Sequence, residues 1–220
     1  MAILLNIDTA VETASVCLSD NNEVIGLLVN ENQRDHASWL HTAIQKVVND
    51  SGLTLHDLHA VAITIGPGSY TGLRIGLSAA KGLCYALKIS LICINTLEVM
   101  ANAVKQEGDD LICPMIDARR MEVFAAIYNN SLEEIVKPFA MVVGTDSFAD
   151  LLANRKIIFC GNGSKKLQNV LSHTNAIFSN YKTTAANLPQ LSSVYFLKKK
   201  FADIAYAEPF YLKEFYSTAH

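Results

Sequence analysis

The most constraining feature of this sequence is an order of strand-like and helical segments that occurs twice. The run Leu-Leu-Asn-Ile-Asp-Thr-Ala at 4–10 is similar to Leu-Ile-Cys-Pro-Met-Ile-Asp-Ala at 111–118. Each run is followed by a second strand-like segment, a turn with paired asparagines and a third extended segment: 14–19, 21–22 and 24–29 in the first copy, and 123–128, 129–130 and 135–143 in the second. Repetition of this kind predicts a fold built from two copies of one supersecondary unit.

Helical and strand patterns complete each copy. Apolar residues at helical spacing predict helices over 36–50 and 71–87 in the first copy, with a buried strand at 60–65 between them. The other predicted segments are a strand at 91–94 and a helix at 97–106 in the first copy, and in the second a helix at 146–152, a strand at 157–160 and helices near 165–171 and 191–201.

These patterns predict an α/β fold. It consists of two tandem RNase H-like lobes of order β-β-β-α-β-α, the architecture of actin, Hsp70 and sugar kinases (ASKHA), with a cleft between the lobes. The polar stretch at 106–110 predicts a boundary that separates an N-terminal lobe, 1–106, from a C-terminal lobe, 107–220.

The composition narrows the classes of function. Half of the residues are hydrophobic and 18% are charged, so the chain has enough apolar surface to fold and is not a disordered segment. Lys plus Arg number 18 and Asp plus Glu 21, a net charge of −3. This balance excludes nucleic-acid binding through bulk positive charge, although not through a local basic patch.

The cysteines and the N-terminus indicate the compartment. The five cysteines are widely spaced among aliphatic residues, with no C-x-x-C pair and no Cys/His metal spacing, so we interpret them as reduced thiols in the core. No apolar run approaches the roughly 18 residues of a membrane span, and the N-terminus lacks the basic region of a signal peptide. We therefore expect a cytoplasmic protein.

Acidic residues end the first strand of each copy. Because ligands gather at the carboxyl ends of strands in α/β sheets, Asp8 and Asp117 are expected to face the cleft. In nucleotide-using proteins of this architecture such acids hold Mg²⁺, and a neighbouring hydroxyl such as Thr9 contacts phosphate. The alternative is that each Asp only caps the strand-to-turn transition. For Asp8 both interpretations stay open, whereas at Asp117 the following Ala-Arg-Arg favours capping.

A glycine-rich stretch at 65–82 follows one strand and opens a long helix. It is neither a Walker A loop, since no Gly-Lys-Ser/Thr closes it, nor a dinucleotide fingerprint, since Pro67 removes an amide. Within the helix Gly72, Gly76 and Ala80 recur every four residues on one face. Helical glycines are costly, so this ridge predicts a close backbone approach, either by the lobe itself or by a partner helix.

Four motifs together resemble one known family. They are N-I-D-T-A at 6–10, G-P-G-S-Y-T-G-L-R-I-G at 66–76, I-D-A-R at 116–119 and A-E-P-F-Y-L at 207–212. They look like TsaB, also called YeaZ, the bacterial subunit for biosynthesis of threonylcarbamoyladenosine (t6A). The likeness extends from the first strand to the C-terminal tail, and the 66–76 block is its most specific part.

The resemblance implies a noncatalytic accessory subunit. The family shares its fold with the catalytic subunit TsaD but has a reduced second lobe. It dimerises with TsaD and, with the ATPase TsaE, supports threonylcarbamoyl transfer to N6 of adenosine 37 in ANN-decoding tRNAs. Homodimers form through the same face when TsaD is missing. No cofactor is implied beyond weak ATP or ADP with Mg²⁺, at a residual site around Asp8 and Thr9 or at a site completed by the partner.

Two rival functions receive little support from the residues. A zinc peptidase needs two histidines at i and i+4, whereas His36 and His41 are five apart and diverge on a helix, so no metal site is predicted. An ATP-dependent small-molecule kinase of the same fold, the alternative function, needs phosphate-binding turns in both lobes, and the turn at Asp117 lacks glycine and hydroxyl groups. Ser69 lacks the context of a nucleophile and is interpreted as a helix cap.

The first two predicted helices supply the expected docking face. Trp39 lies about 100° from the buried stripe of its helix, so the single tryptophan should be partly exposed in a lone subunit. An aromatic anchor beside small residues is typical of interfaces. The predicted partner-interface residues are His36, Trp39, Leu40, Ala43, Gly72, Leu73, Gly76 and Ala80.

Overall fold

The computed structural model describes residues 2–32 and 35–213, which form two lobes built on five-stranded sheets. The strands of the first sheet are β1 (Ile3–Asp8), β2 (Ala14–Asp20), β3 (Glu23–Asn30), β4 (Ala60–Thr64) and β5 (Ser90–Ile94). Those of the second are β6 (Leu111–Asp117), β7 (Glu122–Tyr128), β8 (Glu134–Val142), β9 (Ile157–Cys160) and β10 (Ala176–Phe178). The orders, β3-β2-β1-β4-β5 and β8-β7-β6-β9-β10, are the same, which confirms the predicted repeat.

The helices differ in length between the lobes. The first half of the chain has α1 (His36–Asp50), α2 (Tyr70–Leu87) and α3 (Thr96–Val104), and the later helices are α4 (Ala149–Leu152), α5 (Ser164–Gln168) and α6 (Pro189–Leu197). Helix α3 packs on β6, β7 and β9 of the second sheet. Ser69 caps α2 as predicted, because its side chain accepts a hydrogen bond from the Gly72 amide. The second-lobe helices are shorter than the sequence predicted, and strand β10 was not predicted because only three residues form it.

The core of the first lobe lies on both faces of its sheet. Leu5 and Ile7 of β1 pack with α1 and α2 on one face, whereas Leu4 packs with α6 on the other. Nearly every residue of β1, β2 and β4 is buried, including the polar residues that β1 and β2 contain. The central strands of the first sheet are therefore covered on both faces.

The C-terminal segment returns to the first lobe. Ser192 Oγ of α6 donates to Asn6 Oδ1 of β1 at 2.7 Å, and the backbone N–H of Phe210 donates to the Ile65 carbonyl at 2.7 Å. The predicted boundary near 106 lies between the last strand of the first sheet and the first strand of the second. From the range 107–220, α6 and the tail pack on β1 and β5 of the first sheet.

The cysteines and the apolar character of the helices can now be placed in the fold. Cys17, Cys84, Cys113 and Cys160 are buried as free thiols, as interpreted from the sequence, and Cys93 is partly buried. Within 2–32 and 35–213, no helix has both the length and the apolar character that a membrane crossing requires.

Candidate functional site

The turn after β1 is enclosed and internally bonded. Asp8 is 2% exposed, and its Oδ1 accepts hydrogen bonds from the Ala10 amide at 3.0 Å and the Thr64 hydroxyl at 2.7 Å. Burial raises the pKa of Asp8, and those two hydrogen bonds oppose the rise. The Thr9 hydroxyl is also buried and donates to the Gly72 carbonyl at 2.8 Å. Both polar groups of the expected nucleotide site thus have partners within the lobe.

The small-residue ridge of α2 packs against this turn. A β-carbon on Gly72 would lie 2.1 Å from the Thr9 carbonyl oxygen, and one on Gly76 would lie 2.2 Å from the Thr9 hydroxyl. Leu73 and Ala80 are fully buried on the same side of the helix. The close approach predicted from the glycines is therefore made by the lobe itself. This corrects the expectation that the ridge is open to a partner.

The loop at 66–69 wraps the same turn from outside. A β-carbon on Gly68 would lie 2.2 Å from the Ala10 carbonyl oxygen, to which the Ser69 amide donates at 2.6 Å. At the N-terminus of α2, the Gly72 amide donates to the Ser69 side chain. Of the amides that a helix N-terminus can offer to an anion, that of Gly72 is therefore used to cap the helix, and the Ser69 amide before it holds the turn.

The equivalent turn of the second lobe is open. The Asp117 side chain is 40% exposed, and its Oδ1 accepts from the Arg119 amide and from Lys166 Nζ, both at 2.6 Å. This arrangement is the turn-capping role that the sequence favoured. Asn162 Nδ2 donates to Glu12 Oε1 at 3.0 Å, which joins the loop after β9 to the turn after β1. Asn162 Oδ1 also accepts the Asp117 amide at 2.9 Å, so Asn162 links the two strand-end turns.

A groove of about 560 Å³ lies between the outer faces of α1 and α2. Its lining includes His41 of α1 and, from α2, Arg74, Ile75, Ser78, Gly82 and Leu83. Gly82 is exposed, and a β-carbon there would meet nothing within 4 Å. The sequence analysis missed this face, although Arg74, Ser78 and Gly82 share the four-residue spacing of the buried ridge two positions away.

Of the predicted interface residues on α1, some are buried in the core of the first lobe and one is partly exposed. Trp39 is partly buried and packs against the first-lobe core, so its predicted partial exposure is confirmed. Leu40 and Ala43 are buried and unavailable for direct contact, which corrects their inclusion among the partner-interface residues. His36 is 3% exposed, and its Nε2 has no hydrogen-bond partner within the described ranges. Burial lowers the pKa of His36, opposed by the Glu12 backbone and the Asp35 charge.

The C-terminal tail holds one wall of the groove in place. Arg74 Nε donates to the Tyr211 hydroxyl at 3.1 Å, and the guanidinium carbon lies 4.0 Å from the ring centre of Tyr70. The rings of Tyr70 and Tyr211 are 5.3 Å apart. The motif at 207–212 therefore orients Arg74, a role that the sequence did not reveal because the two segments are far apart along the chain.

The described residues do not form a metal site of the kind that a zinc peptidase needs. No group of three or more His, Cys, Asp or Glu residues among them is arranged to hold an ion. His36 is enclosed at the start of α1, while His41 is exposed on the groove, so the two rings are not brought together.

The sequence of this chain matches a known protein family. A family model described as "TsaD: tRNA N6-adenosine threonylcarbamoyltransferase" matches residues 14–214. The tRNA threonylcarbamoyladenosine biosynthesis protein TsaB of Bacillus subtilis (strain 168) is 31% identical over 215 residues, which cover 96% of this chain and 93% of that protein.

Solved structures agree in architecture. YeaZ from Pseudomonas aeruginosa superposes with a TM-score of 0.82 at 23% identity, covering 96% of this chain and all of that one. The ethanolamine utilization protein EutJ from Carboxydothermus hydrogenoformans has a TM-score of 0.54 at 10% identity, covering 86% and 90% of the two chains. At these identities the likeness shows the fold alone, which is the two-lobed ASKHA-like fold predicted from the repeat.

Proposed function

This chain belongs to the TsaB family of tRNA threonylcarbamoyladenosine biosynthesis proteins, and from that premise we propose that it is a noncatalytic scaffold subunit in t6A formation. Its partner is TsaD, which transfers the threonylcarbamoyl group to N6 of adenosine 37 in ANN-decoding tRNAs. The ATPase TsaE completes the assembly, and tRNA reaches this subunit through the complex.

The observation that carries the proposal is the contrast between an occupied ridge and an open groove on the same helix. The groove between α1 and α2 has an apolar floor that includes Ile75 and Leu83, and a rim with His41 and Arg74. Interfaces combine such a floor with a polar rim, and the missing side chain at Gly82 permits a helix to approach closely. We place the matching lobe of TsaD in this groove.

The enclosed turn supports a role without catalysis. Asp8 is already bonded to Thr64 and Ala10, and Thr9 to the Gly72 carbonyl. A phosphate or Mg²⁺ at this position would have to displace those bonds and move α2. We therefore propose that ATP or ADP with Mg²⁺ binds at most weakly there, or at a site that TsaD completes. A free-standing kinase has no support from this geometry.

A matched pair of variants tests the docking groove. Gly82→Leu fills the groove without a clash inside the lobe, and Gly144→Leu adds the same side chain at another glycine whose β-carbon would also meet nothing within 4 Å. We expect Gly82→Leu to weaken TsaD binding about 100-fold in calorimetry, a hot-spot effect, and to lower reconstituted t6A synthesis. Gly144→Leu should bind as wild type does.

Two results would overturn the proposal. One is wild-type affinity of a folded Gly82→Leu variant for TsaD. The other is ATP turnover by the isolated chain at about 1 s⁻¹ or faster, a rate typical of enzymes, that is lost in Asp8→Asn.

A second copy of this chain is the proposed occupant when TsaD is absent. Sedimentation of the wild-type protein should then show a concentration-dependent dimer that TsaD dissociates. Gly82→Leu should sediment as a monomer, while Gly144→Leu should still dimerise. A Gly82→Leu dimer of unchanged strength would place self-association on another surface.

A further inference from the structure

A second cavity, of about 400 Å³, lies where the two lobes and α6 meet. It shares no lining residue with the groove between α1 and α2. Its polar lining consists of Asn95, Glu98, Tyr128, Glu134, Tyr195 and Lys200. These residues come from both lobes, so the cavity exists only when the whole chain is folded.

Tyr128 is the unusual member of this lining. The residue is 1% exposed, and its hydroxyl has no hydrogen-bond partner within residues 2–32 and 35–213. Buried polar groups are almost always partnered, so this hydroxyl on the cavity wall is available to a polar group that enters the cavity. Glu134 is the cross-strand partner of Tyr128. Burial raises the pKa of Tyr128, as do the negative charges of Glu134 and Glu98.

The acidic side of the cavity is only partly neutralised. Glu98 accepts the Tyr195 hydroxyl, whose oxygen lies 3.0 and 2.9 Å from the two carboxylate oxygens. One hydroxyl proton cannot use the several acceptor positions of a carboxylate. Lys200 Nζ lies 3.9 Å from the ring centre of Tyr195, on the face of the phenol, and is the one cation in the lining. Two carboxylates therefore face one ammonium.

We propose that this cavity binds a small molecule that carries a protonated amine. The ammonium group lies between Glu98 and Glu134 and donates one of its hydrogen bonds to the Tyr128 hydroxyl. An ammonium has three donors and no acceptor, which matches the unused acceptors of the carboxylates and the phenol. The cavity wall beside them includes Ile65, Cys93 and Leu132, which suits an aliphatic body.

Other ligand classes fit the cavity less well. An anion would face two carboxylates with only Lys200 to attract it. A metal ion prefers several carboxylate or imidazole ligands, and the described residues contain no such group of three. The proposal is independent of the scaffold role, because the cavity lies outside the docking groove and a failure of one leaves the other intact.

Calorimetry on the full chain tests the proposal with three probes of equal length: n-butylammonium, 1-butanol and butanoate. We expect saturable one-to-one binding of n-butylammonium alone. Glu98→Gln should weaken it about 10-fold, since a charged hydrogen bond is lost, and Tyr128→Phe about 3-fold. Tyr128→Phe should keep the wild-type melting temperature, because the hydroxyl has no partner to lose.

Matched controls separate the site from general effects of charge. Glu107→Gln and Tyr206→Phe remove the same groups at exposed positions outside the cavity, and both should bind n-butylammonium as wild type does. The proposal is overturned if 1-butanol or butanoate binds as well as the amine. It is equally overturned if the amine shows no saturation at tens of millimolar, or if Glu98→Gln and Tyr128→Phe, both folded by circular dichroism, bind it unchanged.

Discussion

The turns that follow β1 and β6 begin with the same local structure and end in different surroundings. In each, an Asp at the strand end accepts the amide two residues later: Ala10 to Asp8 at 3.0 Å, and Arg119 to Asp117 at 2.6 Å. In each lobe a Gly-x-Gly loop after the neighbouring parallel strand, 66–68 or 161–163, packs against the first strand or its turn. Yet Asp8 is 2% exposed and the Asp117 side chain 40%.

The difference comes from the helix that follows each loop. In the first lobe α2 has 18 residues and carries Gly72 and Gly76 against Thr9, so the turn is covered. In the second lobe α5 has five residues, and its Lys166, whose side chain is 15% exposed, pairs with the 40% exposed Asp117 side chain. One motif thus gives a buried, hydrogen-bonded Asp in one lobe and a partly exposed ion pair in the other. The surroundings, and not the motif, determine what the acid does.

The largest effect on stability is expected from a larger side chain on α2 where this helix packs against the first turn. Gly76→Leu would place a β-carbon 2.2 Å from the Thr9 hydroxyl and 2.9 Å from Ile63 Cδ1. We expect a loss of about 3 kcal/mol in the free energy of unfolding, since overpacked cores must distort. Gly82→Leu, six residues along the same helix but in open space, should instead gain a few tenths up to about 1 kcal/mol from helix propensity.

Urea denaturation of both variants measures this pair of effects. Equal stabilities would mean that α2 is not pressed against the turn, and the contrast between the lobes would lose its cause. The result also bears on docking experiments, because a Gly76→Leu variant that fails to bind TsaD would be explained by unfolding, whereas Gly82→Leu would not.

The next largest difference is expected between the stability losses on replacing Asp8 and Asp117. Asp8→Ala leaves the Thr64 hydroxyl and the Ala10 amide without an acceptor in the core, and each unsatisfied donor costs about 1–3 kcal/mol. We expect a loss of about 3 kcal/mol. Asp117→Ala removes a partly exposed pair and should cost less than about 1 kcal/mol. Chemical denaturation at neutral pH compares them, and losses of similar size would contradict the difference in burial.

The sequence predicted the repeat well because strand periodicity and turn composition are local signals. The runs at 4–10 and 111–118 identified both first strands and both acids, and Gly72 and Gly76 correctly indicated a close backbone approach. The return of α6 to the first sheet was not predicted, because Ser192 and Asn6 are joined only by the tertiary fold.

The candidate site was less predictable than the fold. Spacing places Gly72, Gly76 and Ala80 on one face, but it cannot say whether that face meets the lobe's own turn or a partner. Similarly, an Asp at a strand end has the same sequence pattern whether it is enclosed, like Asp8, or solvated, like Asp117. Burial depends on the length and position of the covering helix, which are properties of the whole lobe.

The burial of Asp8 in the first turn should also make the stability of the protein depend on pH. Burial raises the pKa of Asp8 above its ordinary value of 3.8. A raised pKa in the folded state means that stability is greatest below the pKa of the unfolded chain and is lost as pH rises through the folded pKa. Asp8→Asn keeps an acceptor oxygen but no titrating proton. Relative to wild type, this variant should therefore gain stability as pH rises above 3.8, and level off once the wild-type carboxyl is ionised.

Thermal or urea unfolding at intervals between pH 3 and pH 8 gives the difference between Asp8→Asn and wild type. A constant offset across this range would show that Asp8 ionises as readily in the folded chain as in the unfolded one. The turn would then be more accessible to water than the 2% exposure of Asp8 indicates.

The ion pair of the second turn should give the smallest effect. Lys166 Nζ lies 2.6 Å from Asp117 Oδ1 and also donates to the Glu122 carbonyl at 3.0 Å. The Lys166 side chain is 15% exposed, but that of Asp117 is 40% exposed, so solvent reaches the pair and screens the attraction. Lys166→Met should therefore cost less than about 1 kcal/mol. The cost should shrink further at about 1 M salt, where the screening length is roughly 3 Å.

Lys165→Met, at the exposed neighbouring position, is the matched control and should change little at either salt concentration. A loss in Lys166→Met that stays as large at high salt would mean that the pair is shielded from solvent. The second turn would then resemble the first in its electrostatics as well as in its backbone.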